Sequence, residues 1–375
     1  MFKKNIYVAL IISIVYLWGV YAIYGSTPFL RKSYAIEAWW AKKNIQCQHE
    51  SKALTTILSN IIENYGSLSN QLVYLKKNGQ LNACVSGDDV GDDTRFRYAS
   101  LTKVITVAVF LENERLGSLQ RNDYLSQYIQ LKNPMDPRIE KVRLINLLTH
   151  TSGFDRTKSN DPIIQEGNSW CPDHLDKLNN IHFDHAPNTV YSYDNRNYCL
   201  IGAVLEKKLK QPFKDILENY LKSNNFEHIQ LIQGAFMSDE VKYDFRFEEY
   251  YFPSYAQKFN FHAMQSSAGL SGSAKDYAQL IHYLLYQRKL PLIETIVKTH
   301  DSDKDEIELS IALNQERHQS GELFSYHFGA LPASRSLLII RENGDVIVWM
   351  GSGVPQNPQI SERKLLDYIL YHVEK

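Results

Sequence analysis

The sequence predicts an α+β fold: an antiparallel sheet formed from both ends of the chain, flanked by helices, with a mainly helical stretch inserted between its halves. Three observations carry this. Residues 71–85 alternate apolar and polar side chains around Asn78-Gly79, a dipeptide suited to a two-residue hairpin turn. Residues 336–349 repeat the pattern as two apolar runs around Asn343-Gly344. Between the hairpins the segments read as helices and loops, with no internal repeat and no low-complexity tract. One sheet fed by both chain ends is the simplest way to shelter two such hairpins.

In chain order, residues 6–25 carry no charged side chain and follow Lys3 and Lys4. That is the length of a bilayer span. The residues around Ala22, Ile23 and Tyr24 are bulky for a signal-peptide cleavage site, while Trp18 and the tyrosines suit a membrane interface. Residues 1–25 therefore read as an uncleaved anchor, with a cleaved signal as the alternative and the bulk of the chain outside the cytoplasm, in a periplasm, or secreted if the signal is cut. Residues 26–50, with Trp39 and Trp40 beside Lys42 and Lys43, read as a juxtamembrane connector. Residues 51–375 form the remaining unit. Within it lie a helix near 53–65, the first hairpin, a helix ending at Gly117, a mainly helical subdomain at about 120–265, the second hairpin, and an amphipathic helix near 359–373.

Of the 375 residues 44% are hydrophobic and 22% charged, which excludes a disordered chain. Lys plus Arg (41) balance Asp plus Glu (42) at a net charge of -1, so no field favours nucleic acid. The four cysteines, Cys47, Cys84, Cys171 and Cys199, include no C-x-x-C. Outside the cytoplasm they can pair, and Cys47 with Cys84 and Cys171 with Cys199 is one of three connectivities. Four buried thiols are the alternative.

Chemical signatures are few. There is no G-x-S-x-G, phosphate loop, G-x-G-x-x-G or H-E-x-x-H. His182 and His185 lack further ligands. Asp301, Asp303 and Asp305 begin like a calcium loop, but Glu306 and Ala312 stand where Gly and Glu are required. No metal and no cofactor is expected.

The helix after Phe96 is different. Val104, Ile105, Val107, Ala108, Val109, Phe110 and Leu111 are apolar almost all round, which buries it. Ser100 and Lys103 stand one turn apart at its head. A lysine there must be paired or neutral, and a neutral amine beside a hydroxyl makes a base and its nucleophile. The second S-x-x-K, Ser361 to Lys364, sits on the terminal amphipathic helix and reads as solvated. Tyr193 and Asn195, two apart in a loop, offer a phenol and an amide to one cleft. In the strand-like segment His327-Phe328-Gly329, Gly329 permits close backbone approach.

Ser-x-x-Lys, Tyr-x-Asn and His-x-Gly in this order resemble the serine penicillin-recognising enzymes, specifically the class C β-lactamase-like family. Residues 96–103 (FRYASLTK), 147–154 (LLTHTSGF), 187–202 and 267–276 resemble its blocks, and the likeness covers roughly residues 60–372. The resemblance implies a β-lactamase/transpeptidase-like fold with a cleft between sheet and helical region. In it Ser100 attacks an acyl carbon, Lys103 and Tyr193 move the proton, and Asn195 holds the acyl side chain or the lysine. The backbone N–H groups of Ser100 and Ala330, beside Gly329, form the oxyanion site. His150 and Asp276 are given structural roles.

The family's Lys-Thr-Gly is replaced here by His327, Phe328 and Gly329. A histidine only partly charged at pH ~7 and a missing hydroxyl weaken the grip on a carboxylate by roughly 1.5–3 kcal/mol. The expected function is therefore an acyl hydrolase of esters or of peptides and amides bearing a D-amino acid, taking a small acyl substrate or a cell-wall peptide. The alternatives are a penicillin-sensitive D,D-peptidase or weak β-lactamase and, from another class, an acylated sensor or non-catalytic scaffold.

Overall fold

The computed structural model describes residues 27–159, 169–300, 306–318, 321–357 and 362–373. The uncharged run 6–25, the aspartates 301–305 and Ser361 lie outside the described residues. A nine-stranded, wholly antiparallel sheet has the order β1-β3-β2-β12-β11-β10-β9-β8-β7. Its N-terminal strands are β1 (Gln46–Cys47), β2 (Ser69–Leu75) and β3 (Leu81–Ser86). Its C-terminal strands are β7 (Val297–His300), β8 (Glu306–Leu309), β9 (Asn314–Arg317), β10 (Leu323–Leu331), β11 (Ser334–Arg341) and β12 (Val346–Ser352). The two chain ends meet where β12 pairs with β2, Val348 opposite Val73.

The period of two sorts the side chains into two layers. Leu72, Ile339, Ile347 and Trp349 face the helices Lys52–Asn64 and Glu362–Val373, which supply Ile57, Ile61, Leu366 and Ile369. Their neighbours Val73, Leu338, Val348 and Met350 face the larger core around the helices Thr102–Arg115 and Ala274–Tyr286.

Both expected hairpins form, with a different turn. Gly79 N–H donates to Lys76 O at 2.9 Å, and Lys76 N–H to Gln80 O at 2.9 Å; Gly344, Arg341 and Asp345 repeat the arrangement at 2.8 and 2.9 Å. Only the glycines take positive φ, +89° and +91°. Each loop is a β-turn closed by a glycine bulge, one residue longer than the two-residue turn expected. The asparagines act through their side chains instead: Asn78 Oδ1 accepts from Gln80 N at 3.0 Å and Asn343 Oδ1 from Asp345 N at 2.9 Å.

The segment read as a connector contains a folded helix, Thr27–Lys43, which packs by Tyr34 and Ala38 on Ile62. Among the described residues no helix is long and apolar enough to cross a membrane. Cysteines pair as Cys47–Cys84 and Cys171–Cys199. The first disulfide joins β1 to β3; the second fastens a loop to the helix Asn195–Leu209. The inserted region holds that helix, Phe213–Ser223, and much irregular chain. A small sheet of β4 (Phe96–Arg97), β6 (Leu270–Gly272) and β5 (Gln230–Leu231) ties the approach to Ser100 to this region.

Candidate active site

Ser100 lies in a 3₁₀ turn, Ala99–Leu101, at the head of the helix Thr102–Arg115. Ala99 has φ +49°, a conformation that costs a non-glycine residue energy and persists only where packing imposes it. Packing is dense here. The Tyr98 hydroxyl donates to Ser273 O at 2.9 Å, Ser336 Oγ donates to Tyr98 O at 2.8 Å, and Leu270 N–H donates to Thr102 Oγ1 at 3.1 Å. The helix is buried from Thr102 to Glu112, as its all-round apolar sequence requires.

Ser100, Lys103, Tyr193 and Asn195 converge. The Tyr193 hydroxyl donates to Ser100 Oγ at 2.6 Å, and Lys103 Nζ donates to the same oxygen at 3.2 Å. Lys103 Nζ also donates to Asn195 Oδ1 and to Ser267 O, each at 2.9 Å. Three acceptors suit the three N–H groups of an ammonium, so in this resting arrangement Lys103 has the bonding of a paired lysine, the other option for a buried lysine. Asn195 holds the lysine, one of its two expected tasks. It begins the helix Asn195–Leu209, whose N-cap Asp194 accepts from Arg196 N–H at 2.9 Å and pairs with the Arg196 guanidinium at 2.6 Å.

His150 has a more specific place than a generic structural residue. At φ +55° it lies buried beside Tyr193, ring centroids 4.5 Å apart and tilted by 34°. Its Nδ1 accepts from the Asp194 N–H at 3.2 Å and from Asn197 Nδ2 at 3.1 Å. Burial and the nearby Lys103 charge hold its pKa well below the ordinary value. Arg156, which sequence reasoning missed, places its guanidinium carbon 4.8 Å from the Tyr193 ring centroid. Its only sequence signal is proximity to the 147–154 block. Asp276 is structural: it caps the helix Ala274–Tyr286 with Ser273.

β10 runs directly beside the Ser100 group. A Cβ on Gly329 would stand 2.6 Å from Tyr98 O and 3.2 Å from Ala99 Cβ, so only glycine lets this strand lie against the nucleophile turn. Ala330 is paired with Arg335 across the short Pro332-Ala333 connection. Leu331 and Ser334 close that hairpin, and the alternation of an antiparallel pair then turns the Ala330 N–H away from β11 toward the cleft. His327 corrects the expectation of a partly charged imidazole. It is buried, and desolvation and the Lys103 charge push its pKa down to about 3, so it is neutral at physiological pH. Phe328 packs its ring 5.6 Å from that of Tyr326 and lines the same cleft.

The cleft has a volume of about 550 Å³ and is lined by Ser100, Tyr193, Asn195, His327, Phe328 and Ala330, with Tyr250 and Tyr251 on its far wall. The wall is tied to the N-terminal helix. Arg246 pairs with Glu37 at 2.6 Å and donates to Leu30 O at 2.9 Å, and Phe247 meets Tyr34 edge-on at 5.2 Å. Glu248 then accepts from Ala333 N–H at 3.3 Å, reaching the hairpin beside Ala330. His182 and His185 lie elsewhere, near Asp136 (3.9 Å) and Asp155 (3.0 Å), and no metal-binding group of three occurs among the described residues.

A serine hydroxyl between a phenol and a lysine, in this sheet-and-helix frame, has the geometry that acyl transfer to serine requires. Comparison specifies the family. The family model described as Beta-lactamase matches residues 68–357, and the chain belongs to that family. A relative from Dichelobacter nodosus, "Probable fimbrial assembly protein FimD, serogroup H1", is 35% identical over 264 residues, 68% of this chain and 66% of the relative. The chain thus spans just under two thirds of that relative's length. "Protein flp" of Staphylococcus aureus is 25% identical over 191 residues, covering 48% of this chain and 38% of its own.

Solved structures agree on the fold. A D-stereospecific amidohydrolase from Streptomyces sp. superposes with a TM-score of 0.69 at 18% identity over 85% of this chain and 98% of its own. A Beta-Lactamase/D-Alanine Carboxypeptidase from Pseudomonas syringae gives 0.68 at 14% identity over 86% and 99%.

Proposed function

We propose that the protein hydrolyses an ester, or an amide or peptide bearing a D-amino acid, through an acyl-enzyme on Ser100. The observation that carries this is the Ser100 hydroxyl, held at 2.6 Å from the Tyr193 phenol and 3.2 Å from Lys103 Nζ in an open cleft. Ser100 Oγ forms the bond to the acyl carbon. With the Tyr193–Lys103 pair one proton short of phenol plus ammonium, that pair takes the Ser100 proton and passes it to the departing oxygen or nitrogen. The N–H groups of Ser100 and Ala330 hold the oxyanion. Water repeats the sequence in reverse and frees the acid.

The D-amino-acid class is supported by the D-stereospecific amidohydrolase and the D-alanine carboxypeptidase that share the fold. Neutral His327 and apolar Phe328 argue against a tight hold on a substrate carboxylate, and so against an efficient β-lactamase. Two disulfides suit an oxidising compartment, and the run 6–25 suits an anchor that leaves the cleft outside the cytoplasm. Incubation with a short-chain p-nitrophenyl ester, a D-amino-acid amide, a D-Ala-D-Ala peptide and nitrocefin tests the reading. Turnover of the ester or amide is expected, with nitrocefin slow or inert; fast nitrocefin turnover, or no reaction with any of the four, contradicts it.

A second reading rests on the Dichelobacter nodosus relative, whose name refers to fimbrial assembly. Under it the hydrolase serves the assembly of surface filaments. Filament display restored equally by wild type and by Ser100→Ala would separate that role from hydrolysis.

A further inference from the structure

The helix Thr27–Lys43 precedes the residues matched by the family model and has two unlike faces. Its inner face is fully partnered: Tyr34 and Ala38 are buried on Ile62, and Glu37 is turned onto Arg246. At ~100° per residue, positions 32, 36, 39, 40 and 43 lie within about 50° of the opposite meridian. They are Lys32, Ile36, Trp39, Trp40 and Lys43. Ile36 is 65% exposed, Trp39 48% and Trp40 56%. Lys43 Nζ lies 3.7 Å above the Trp39 ring, and the two indoles meet edge to face at 5.1 Å. No carboxylate falls on this face.

Indoles and a branched aliphatic beside lysines, with no acid, make the chemistry of a surface that sits between hydrocarbon and headgroups. A water-facing helix would carry acidic and polar side chains there. The chain leading into the helix points the same way, since residues 6–25 are uncharged and end within two residues of Thr27. We propose that the outer face of the helix Thr27–Lys43 lies on the surface of an anionic lipid bilayer. Trp39, Trp40 and Ile36 then enter the headgroup boundary, and Lys32 and Lys43 meet the lipid charge. Because the inner face of the same helix holds Arg246 and Phe247, the catalytic unit is docked on the membrane by its cleft wall rather than tethered at a distance. The inference stands apart from the catalytic reading and survives its failure.

The four native cysteines are paired, so a single introduced thiol can be spin-labelled selectively. Ile36→Cys, Trp40→Cys and, as a solvent-facing control, Lys214→Cys are made in the full chain. Each is reconstituted in vesicles of equal parts phosphatidylcholine and phosphatidylglycerol. Collision rates with oxygen and with a water-soluble nickel chelate are then compared. Labels at 36 and 40 are expected to favour oxygen several-fold more than the label at 214. Nickel access equal to that at 214 would overturn the proposal. So would immobilised labels that neither reagent reaches, which would mean that a second copy or another protein covers the face. Quenching of tryptophan emission by brominated lipid, reduced in Trp39→Phe/Trp40→Phe, checks the contact without a label; quenching unchanged by the double substitution counts against it.

Discussion

The two banks of the cleft are built on different principles. On one, Ser100, Lys103, Tyr193 and Asn195 are locked by bonds of 2.6–3.2 Å to each other and to a helix buried almost all round. On the other, Tyr250 and Tyr251 stand on irregular chain, held through Arg246 and Phe247 by a helix outside the family-matched residues. The contrast teaches that the Ser100 group is fixed by packing that leaves little freedom, whereas the far wall of the cleft depends on a helix that precedes the family-matched residues. Substitutions on the first bank should therefore act on kcat, and those on the second on KM.

The largest expected effect is Tyr193→Phe, which removes one half of the proposed proton relay and should lower kcat about 10²- to 10⁴-fold with little change in KM. Steady-state kinetics on the best substrate of the panel checks it. A fall confined to KM would erase the difference between the banks.

Acid tests the buried bank through stability. Both His150 and His327 are held below the ordinary histidine value, His327 at about 3, by burial and the Lys103 charge. Below pH ~6.5 the unfolded chain binds protons that the folded chain refuses, so stability is complete above that pH and falls as the pH drops, His327 contributing down to about 3. Each histidine costs up to about 1.4 kcal/mol per pH unit in this window. Chemical denaturation at pH ~7 and ~5 measures the loss, and His327→Gln should reduce it. The same neutrality means that His327 itself should add no limb near pH ~6.5 to the activity profile.

Next comes His150→Ala. Loss of the ring beside Tyr193 and of the acceptor for Asp194 N–H should lower kcat by tens-fold, a loss equivalent to about 2 kcal/mol. His150→Asn, which retains an acceptor, should recover part of it, and a merely structural histidine would show no such graded rescue. The smallest effect is expected from Glu37→Ala. The Glu37–Arg246 pair is only partly shielded from water, so breaking it should raise KM a few-fold and leave kcat in place. Backbone hydrogen exchange in residues 246–252 should rise in parallel.

Much of the sheet was legible because Asn-Gly between alternating runs is a local signal, even though the glycine bulge of each turn was not. The buried helix behind Ser100 announced itself by apolar residues on every side, and motif order brought Tyr193, Asn195 and His327 to it. Less local features escaped. The strands β7 to β9 at one end of the sheet are four residues each and largely polar, Lys298, Glu308 and Arg317 among them, too short for the alternation of Glu306–Leu309 to stand out. The helix Thr27–Lys43 has its apolar residues on two faces, which hides a single amphipathic stripe. The charge state of His327 follows from burial beside Lys103, more than two hundred residues away in sequence, and no spacing rule reaches that far.

The most direct test of the account is the site of acylation. Wild-type protein, Tyr193→Phe and Ser100→Ala are treated with a fluorophosphonate, and adducts are counted by intact mass and located by peptide mapping. The account expects one adduct per chain on Ser100, formed more slowly in Tyr193→Phe and absent from Ser100→Ala. An adduct on another residue, or undiminished labelling of Ser100→Ala, would contradict it.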